Sequence, residues 1–397
     1  MLLNFLKSKS PKSTAMGERR YRTKRQQRLL LFAAVLNYIC HTSPVSAEHS
    51  HVKLSSPANS TTSRITRCAF DIGSTETKLS IAHVVLSKSK HHKVTSVEKI
   101  FEYSERVLIK DSIVDDKIPD ATVASLTKVL SSLKQRCIKE GATQFVGVAT
   151  SGFRAASQNG ESSRQRIADA TGITLTILSG KQEALLGLRA AEGFVAAWPD
   201  KQRSNLVVWD IGGGSMQFAA KQDLVSLELG TTVFDSILRT KLGREQTKLP
   251  TQPLTAREIQ QSNQLVQPFV KQIPLKLREL LRSKSTIVIG LGKVHSIAIA
   301  GVTDLQHVNE NTAYQYQQLL EALPKLADCD DTCIQKRFPN NRYPEQQVGN
   351  VILVSSLMRE LKMNRVYPAQ LNLTDGLLRD DRYWSTNPKY NEPPKRT

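Results

Sequence analysis

Aromatic residues, acidic residues and long apolar runs are all scarce in this sequence of 397 residues. Aromatics make up 6% of the residues and hydrophobic residues 40%, which is ordinary for a soluble globular protein. The apolar run Leu29–Cys40 is too short to span a bilayer comfortably. The length instead allows two domains of ordinary size, each of which can bury its own core.

Acidic residues are outnumbered, with 36 Asp and Glu against 55 Lys and Arg, for a net charge of +19. Part of the excess lies in residues 1–47, where the basic stretch Arg19–Arg25 precedes the run Leu29–Cys40 and Val45–Ser46–Ala47 resembles a cleavage site. We predict a signal peptide there and a secreted or periplasmic protein without a membrane span; an uncleaved anchor is the alternative.

Removing the net +8 of residues 1–47 leaves +11 on the mature chain. A positive field suits a polyanionic substrate such as polyphosphate or a nucleotide. It equally suits a generic basic protein that only stays soluble or adheres loosely to nucleic acid, so no specific nucleic-acid site is assigned.

Cysteines are few, and no histidine pair lies near them at ligand spacing, which disfavours a zinc site. The mature chain would hold four: Cys68, Cys137, Cys329 and Cys333. An even number in an exported chain predicts two disulfides. Cys329 and Cys333 could close a small loop, and Cys68 and Cys137 would then pair. Reduced, buried cysteines are the alternative if the chain is not exported.

An apolar strand, an Asp–Ile–Gly turn and a second strand occur twice along the chain. The first copy surrounds Asp71, with strands at Arg67–Phe70 and Leu79–Val85; the second surrounds Asp210, with strands at Leu206–Trp209 and Met216–Ala219. This duplication predicts an α/β protein with two similar domains facing a cleft.

The predicted organisation has five parts. They are a signal peptide at 1–47, a disordered leader at 48–64, domain I at 65–178 plus 370–382, domain II at 179–369, and a flexible tail at 383–397. Helices are predicted at Ala121–Lys139, Arg154–Arg166, Lys181–Ala191, Asn350–Lys362 and Leu371–Leu378, further strands at Phe145–Ala149, Ile173–Thr176 and Thr286–Ile289, and a connector at Pro199–Ser204.

The two glycine turns are predicted to bind phosphate. Glycines let the backbone approach an anion and direct several N–H donors at it, and nearby hydroxyls add donors. A carboxylate cannot bind phosphate directly, so Asp71 and Asp210 are predicted to hold a divalent cation such as Mg²⁺, usually through its water. The phosphate-binding candidates are Gly73, Ser74, Thr75, Gly212, Gly213, Gly214 and Ser215.

Two segments between the turns carry further candidates. Thr150 and Ser151 follow a strand, and Arg154 opens a helix, where it could clamp a phosphate or simply lie on the surface. Ser179 is predicted to cap the next helix. Glu183 in its first turn could project into the cleft and accept a proton from an attacking water.

The ordered motifs resemble the exopolyphosphatase/guanosine pentaphosphate phosphatase (Ppx/GppA) family over roughly Arg67 to Asp380. The motifs are Asp71-Ile-Gly-Ser, Ala149-Thr-Ser-x-x-Arg154, Ser179-Gly-x-x-Glu183-Ala, Asp210-Ile-Gly-Gly-Gly-Ser215, Ser226-Leu-x-x-Gly230, Ile289-Gly-x-Gly292 and Asp375-Gly-Leu-Leu378. The resemblance implies an actin-like ATPase (ribonuclease H-like) fold, a divalent metal, removal of a terminal phosphate with Glu183 as general base, and a homodimer.

Gln217 departs from that family, which normally carries Glu two residues after the serine of the second loop. The change removes a metal ligand or a water acceptor. Ecto-apyrases are similar in this loop, where Ser-x-Gln positions the attacking water, which implies that role for Ser215 and Gln217.

The function predicted from the sequence is an exported hydrolase that releases terminal phosphate from polyphosphate or a nucleoside polyphosphate. A module that only binds such anions and an apyrase-like nucleotidase are the alternatives. A sugar or acetate kinase of the same superfamily is disfavoured because ATP is scarce outside the cytoplasm. The turn Gly290–Lys293 could meet a nucleotide base, pack a strand on a helix, or, through Lys293 and His295, line a polyphosphate channel.

Overall fold

The computed structural model describes residues 62–87, 93–198, 205–244, 251–305 and 312–384. The predicted signal at 1–47, most of the predicted leader, the connector at 199–204 and the tail from 385 onward lie outside these residues. Across the described ranges, no helix is both long and apolar enough to cross a membrane.

Two mixed β-sheets form the centre of the described chain. The first contains β1 (Thr62–Ile72), β2 (Glu76–Ser87), β3 (Val94–Arg106), β4 (Gln144–Ala149) and β5 (Thr174–Ile177). The second contains β6 (Leu206–Ile211), β7 (Met216–Ala219), β8 (Leu224–Leu227), β9 (Ile287–Leu291), β10 (Tyr314–Gln315) and β11 (Arg365–Pro368).

The two sheets repeat one topology. The first has the order β3-β2-β1-β4-β5, and the second, from its opposite edge, β8-β7-β6-β9-β11 with β10 added. In each, the first two strands form an antiparallel hairpin, and the strand that carries the aspartate also pairs in parallel with β4 or β9. The predicted duplication is therefore present in the backbone.

Helices cover the sheets and complete the two halves. They are α1 (Ile109–Ser112), α2 (Asp120–Lys139), α3 (Ser151–Ala155), α4 (Gly160–Thr171), α5 (Gly180–Phe194), α6 (Thr231–Lys241), α7 (Ala256–Ser262), α8 (Gln267–Val270), α9 (Leu275–Arg282), α10 (Ala300–Val302), α11 (Tyr316–Ala327), α12 (Asp331–Arg337), α13 (Gln347–Leu361) and α14 (Leu373–Arg379). A π-helical segment spans Val294–Ile299, and short 3₁₀ segments span Val195–Ala197, Pro344–Gln346 and Asp381–Tyr383.

The helix predicted over Arg154–Arg166 is wrong as one element, because the chain breaks between α3 and α4. Asn159 causes the break through tertiary contacts: its side chain accepts a hydrogen bond from Ile118 N (2.8 Å) and donates one to Ile118 O (2.9 Å). Asn is neutral to unfavourable inside helices because its side chain competes for backbone hydrogen bonds, so these contacts to Ile118 favour the break. Gly160 then starts α4 against Phe153 O, where a Cβ would lie 2.3 Å away.

Helix α5 lies between the two halves and positions the site. Its Ala184, Leu188 and Ala191 pack with β6 and β9 of the second sheet. Leu186 on another face packs with α14 and the first sheet, and a Cβ on Gly376 of α14 would lie 2.0 Å from Leu186 O. Helix α14 thus returns to the first half, where Thr374 hydrogen-bonds Ser80 of β2 at 2.6 Å.

Two predicted boundaries shift in the structure. Strand β1 begins at Thr62, so the last three residues of the predicted leader are extended and paired with β2. Tyr383 and Trp384, predicted in the flexible tail, remain ordered because Trp384 packs on the first half and donates to Leu377 O at 2.6 Å.

Both predicted disulfides form. Cys68–Cys137 joins β1 to α2, and Cys329–Cys333 joins the residue two positions before α12 to the first turn of that helix. Both agree with an oxidising compartment.

Candidate active site

The two Asp–Gly turns have the same local geometry. In the first, Gly73 N donates to Glu76 O at 2.9 Å, and in the second, Gly212 N donates to Ser215 O at 3.0 Å. Each turn joins two antiparallel strands and follows a buried apolar strand, which holds the aspartate at the strand's carboxyl end. The sequence repeat therefore produces two equivalent loops that line one cleft.

A second backbone layer supports the second loop. Thr231 N donates to Gly212 O and Thr232 N to Gly213 O, both at 2.9 Å, at the start of α6. Gly230 is essential here, because a Cβ on it would lie 2.4 Å from the Gly213 carbonyl. This close approach explains the glycine of the Ser226-Leu-x-x-Gly230 motif.

The loops approach each other closely across the cleft. A Cβ on Gly214 would lie 2.6 Å from Ser151 Oγ, 2.8 Å from Ser74 Oγ and 3.3 Å from Lys110 Nζ. The two serine hydroxyls also hydrogen-bond each other at 2.7 Å. Hydroxyls from the start of α3 and from the first loop therefore lie against the glycines of the second loop.

Asp71 and Asp210 lie at the base of the cleft beside Lys78. Loss of hydration raises the pKa of Asp71, opposed by Lys78, whose ammonium lies 3.3 Å from Asp71 Oδ2. Burial likewise raises the pKa of Asp210 to about 6, with Lys78 again opposing and Asp71 adding to the rise. Burial alone would lower the pKa of Lys78, but the surrounding carboxylates raise it, so this cation stays charged.

The aspartates fit the predicted cation. Asp71 Oδ1 is buried and has no hydrogen-bond partner within the described part of the chain. Among the described residues, no cluster of three or more His, Cys, Asp or Glu could hold a metal ion. A cation here would depend on these two carboxylates with water and phosphate oxygens, which is the coordination that Mg²⁺ prefers.

Glu183 reaches the cleft from the first turn of α5. The helix start is fixed by Ser179, which forms the predicted capping box with Gln182. Glu183 is 7% exposed. Burial raises its pKa to about 7, with Arg154 opposing the rise and Asp210 and Asp71 adding to it. A carboxylate with a pKa near neutrality is suited to general-base chemistry.

Arg154 holds the Glu183 carboxylate. Its guanidinium donates to Glu183 Oε2 at 2.8 Å and to Leu178 O at 2.9 Å, and it lies 3.7 Å from Glu228 Oε1. Its side chain does not line the cavity between the loops. The phosphate clamp predicted for Arg154 stays a prediction, whereas its contact with the candidate base is direct.

Gln217 lies beside the second loop, opposite Asp210 in the β6–β7 register. Its amide donates to Ser215 Oγ at 3.1 Å and to Ser226 Oγ at 3.0 Å. A Cβ on Gly180 would lie 2.4 Å from Ser226 Oγ, so this hydroxyl chain abuts the start of the helix that carries Glu183. The segment Ser215–Gln217 therefore lies next to the start of the helix that carries Glu183, more than thirty residues earlier in the sequence.

One cavity of about 120 Å³ contains most of the predicted residues. Those that line it are Asp71, Gly73, Ser74, Thr75, Thr150, Ser151, Glu183, Asp210, Gly212, Gly213 and Ser215. Gly214, Arg154 and Gln217 lie behind this surface. The predicted residues thus assemble around one small cleft.

Sequence reasoning missed Glu76 and Lys78 and left Lys293 undecided. Lys78 stands seven residues after Asp71, where Gln217 stands after Asp210, so superposing the two repeats would have found it. Lys293 lines the cavity and binds Glu76 through both carboxylate oxygens at 2.6 Å. Tyr343, also on the wall, donates to Glu76 at 2.9 Å.

The alternative that His295 lines the cleft is wrong. Its ring is fully buried against Trp209 and within 2.7 Å of Tyr314 Oη, and burial lowers its pKa to about 3. Gly290 packs on this ring, and Gly292, at φ +90°, approaches Ile211 O closely. This turn therefore serves packing, as well as presenting Lys293.

Two duplicated α/β halves, each with an aspartate and a glycine turn on a shared cleft, are typical of the actin-like ATPase fold. The crystal structure of the Aquifex aeolicus Ppx/GppA family member has a TM-score of 0.62 with 16% identity, over 80% of this chain and 97% of that one. A Cytophaga hutchinsonii exopolyphosphatase has a TM-score of 0.59 with 16% identity, over 80% and 96%. The predicted fold is therefore confirmed.

The Ppx/GppA phosphatase family model matches residues 84–382. The chain belongs to this family, and it is a hydrolase acting on phosphoanhydride bonds. A bifunctional 3-dehydroquinate synthase/phosphatase of Fusobacterium nucleatum subsp. nucleatum is 26% identical over 157 residues, which is 38% of this chain and only 22% of that relative.

Proposed function

We propose that this protein is an exported hydrolase that releases terminal phosphate from polyphosphate or a nucleoside polyphosphate, with Glu183 as general base. The observation that carries the proposal is the position of Glu183, buried between two phosphate loops with its pKa raised to about 7. A carboxylate in this state can accept a proton near neutral pH. The two disulfides support export, since they agree with an oxidising compartment.

Substrate binding would use the backbone N–H groups of both loops together with Ser74, Ser151 and Ser215. Lys78 would add a fixed positive charge beside the phosphates. Asp71 and Asp210 would hold a divalent cation, which neutralises phosphate charge when bound. Most of the rate enhancement would come from positioning and charge stabilisation.

The attacking water would be held by Ser215 and by the oxygen of the Gln217 amide, whose nitrogen is already committed to two hydroxyls. Glu183 would accept its proton as the water attacks the terminal phosphorus in line with the leaving phosphate. Arg154 would keep the carboxylate pointed at this water, since it donates to Glu183 Oε2.

Replacing Glu183 by Gln tests the proposal. Phosphate release from tripolyphosphate, guanosine pentaphosphate and ATP with Mg²⁺ is expected to fall by about 10²–10⁴-fold, because general-base catalysis contributes that much. In the unmodified protein kcat/KM should fall as the pH drops below about 7, since Glu183 becomes protonated. Glu192→Gln on the same helix, whose carboxylate pairs with Arg189, is the matched control.

Full turnover by the Glu183→Gln variant would show that Glu183 is not the general base. Tight binding of these anions by the unmodified protein without phosphate release would favour the binding module, which Gln217 keeps open. Preference for ATP over tripolyphosphate would favour the apyrase-like nucleotidase.

A further inference from the structure

The charged residues of the cleft follow a fixed order. Glu183 lies in α5 just after β5, Asp71 is the second-last residue of β1, and Glu76 starts β2 next to β3. In the order β3-β2-β1-β4-β5 the two glutamates therefore lie on opposite sides of Asp71. The electrostatic neighbours agree: Glu183 interacts with Asp210 and Asp71, whereas Lys293 interacts with Glu76 and Lys78. The cleft therefore has Glu183 at one end, where the proposed function places the attacking water, and Glu76 at the opposite end.

Glu76 joins the two halves of the protein at that opposite end. It belongs to the first hairpin, yet it accepts two bonds of 2.6 Å from Lys293 and one of 2.9 Å from Tyr343, both in the second half. Lys293 also donates to Ser104 of β3 at 3.0 Å. Although burial opposes ionisation, Lys293 lowers the pKa of Glu76 below its usual value, so the carboxylate is charged.

A carboxylate is an unusual wall for a phosphate cleft. In an in-line displacement the leaving group departs opposite to the attacking water. With water at Glu183, the leaving phosphates depart toward Glu76. The negative charge of Glu76 opposes them, and its ion pair with Lys293 keeps that lysine from binding them. The cavity of about 120 Å³ is also far smaller than the roughly 300–1,000 Å³ of pockets for drug-sized ligands.

We propose that Glu76, by bridging to Lys293 and Tyr343, limits the length of the leaving group and makes short linear phosphoanhydrides such as tripolyphosphate the preferred substrates. The inference rests on the proposed function, because it uses the direction of attack from Glu183. Long-chain polyphosphate and ATP both carry leaving groups larger than the pyrophosphate that leaves tripolyphosphate, so Glu76 would disfavour both.

Glu76→Gln tests this inference, because it keeps the size of the side chain and removes its charge. The unmodified protein is expected to have a higher kcat/KM for tripolyphosphate than for long-chain polyphosphate or ATP. Glu76→Gln should reduce that preference by roughly tenfold, the effect of one charge–charge interaction in a partly buried site. Tyr343→Phe, which removes only the hydroxyl donor, should shift the preference in the same direction by less.

Glu105→Gln is the matched control. Glu105 lies on β3 opposite Thr77, one position from the Glu76–Arg106 pair, and its carboxylate binds Tyr103 rather than lining the cavity. Glu105→Gln removes one negative charge from the same hairpin region and should leave the preference for tripolyphosphate over long-chain polyphosphate unchanged. Thermal unfolding of each variant confirms that the fold is kept.

Binding measured by calorimetry in the Glu183→Gln background separates this inference from the proposed function. If Glu76→Gln reduces the difference in affinity between tripolyphosphate and long-chain polyphosphate, the role of Glu76 in limiting chain length is supported even if no variant hydrolyses either anion. If hydrolysis depends on Glu183 but Glu76→Gln leaves the ratios of kcat/KM and of affinity for tripolyphosphate over long-chain polyphosphate unchanged, Glu76 does not limit the leaving group and the inference is wrong. An unmodified protein that prefers the long chain also overturns it.

Discussion

Gln217 and Lys78 occupy equivalent positions in the two repeats, opposite Asp210 and Asp71 respectively. Lys78 places a cation beside its aspartate, whereas Gln217 places a neutral amide there. The amide nitrogen is committed to Ser215 and Ser226, so its oxygen is the group that remains to face a water. The two halves have thus diverged: one pairs a lysine with its aspartate, and the other bonds an amide to two serine hydroxyls near the start of α5.

Substitution of Gln217 tests whether this residue positions the attacking water or marks the loss of a metal ligand. Gln217→Ala should lower kcat by about tenfold to a hundredfold with little change in KM, because a group that positions the nucleophile acts mainly in the transition state. Gln217→Glu should also lower kcat at neutral pH, because it loses the donor to Ser215 and adds a carboxylate opposite Asp210. Steady-state kinetics with tripolyphosphate measures both.

Ser226→Ala is the control for that pair, since it removes one partner of the amide and keeps the other. Its kcat should fall less than that of Gln217→Ala. A Gln217→Glu protein more active than the unmodified one would show instead that a metal ligand is missing at this position.

At the scale of elements, hairpins and caps could be predicted from local sequence. The β6–β7 hairpin, the strand Met216–Ala219 and the capping box at Ser179 each depend on residues within a few positions of one another. Strand β3 was not predicted, and the break at Asn159 depends on Ile118, 41 residues away. Such elements are decided by tertiary contacts, which periodicity does not report.

The same reason separates the predicted from the missed site residues. Asp71, Asp210 and the loop glycines lie in a repeated motif, so the pattern itself points to them. Glu76 meets Lys293 across 217 positions of sequence and Tyr343 across 267. A lone Glu in a strand or a Lys after a turn carries no local signal, and only the folded chain makes them partners.

The shape of the second loop requires a glycine at position 230, and Gly230→Ala tests this requirement. The added Cβ would lie 2.4 Å from the Gly213 carbonyl, and backbone on both sides leaves no flexible group to yield. We expect tripolyphosphate binding to weaken by at least about tenfold, because the loop must move by several tenths of an ångström or more. Isothermal titration calorimetry measures the change.

Gly349→Ala is the matched control for the glycine experiment. Gly349 lies inside α13, where a Cβ would meet only a Leu238 methyl at an ordinary 3.8 Å. Alanine is a better helix former than glycine by about 1 kcal/mol, so this variant should be as stable as the unmodified protein or more so. Equal binding by both glycine variants would contradict the role of Gly230.

At the scale of the whole molecule, the first half is tied together behind the cleft. Cys68 on β1 lies three residues before Asp71, and its disulfide to Cys137 fixes that strand to the long helix α2. Both cysteines are fully buried within the core of this half. The covalent link and the packing therefore act on the same strand that leads into the first Asp–Gly turn.

Loss of this disulfide should destabilise the protein more than loss of the other one. The bond spans 69 positions, so its removal is expected to cost roughly 4 kcal/mol of unfolding free energy in the chain-entropy account. Cys329–Cys333 spans only 4 positions and constrains the unfolded chain far less. Urea unfolding of Cys68→Ala/Cys137→Ala and Cys329→Ala/Cys333→Ala, each with and without reductant, compares the two directly. Equal destabilisation of the two double variants would mean that chain entropy does not govern the contribution of Cys68–Cys137.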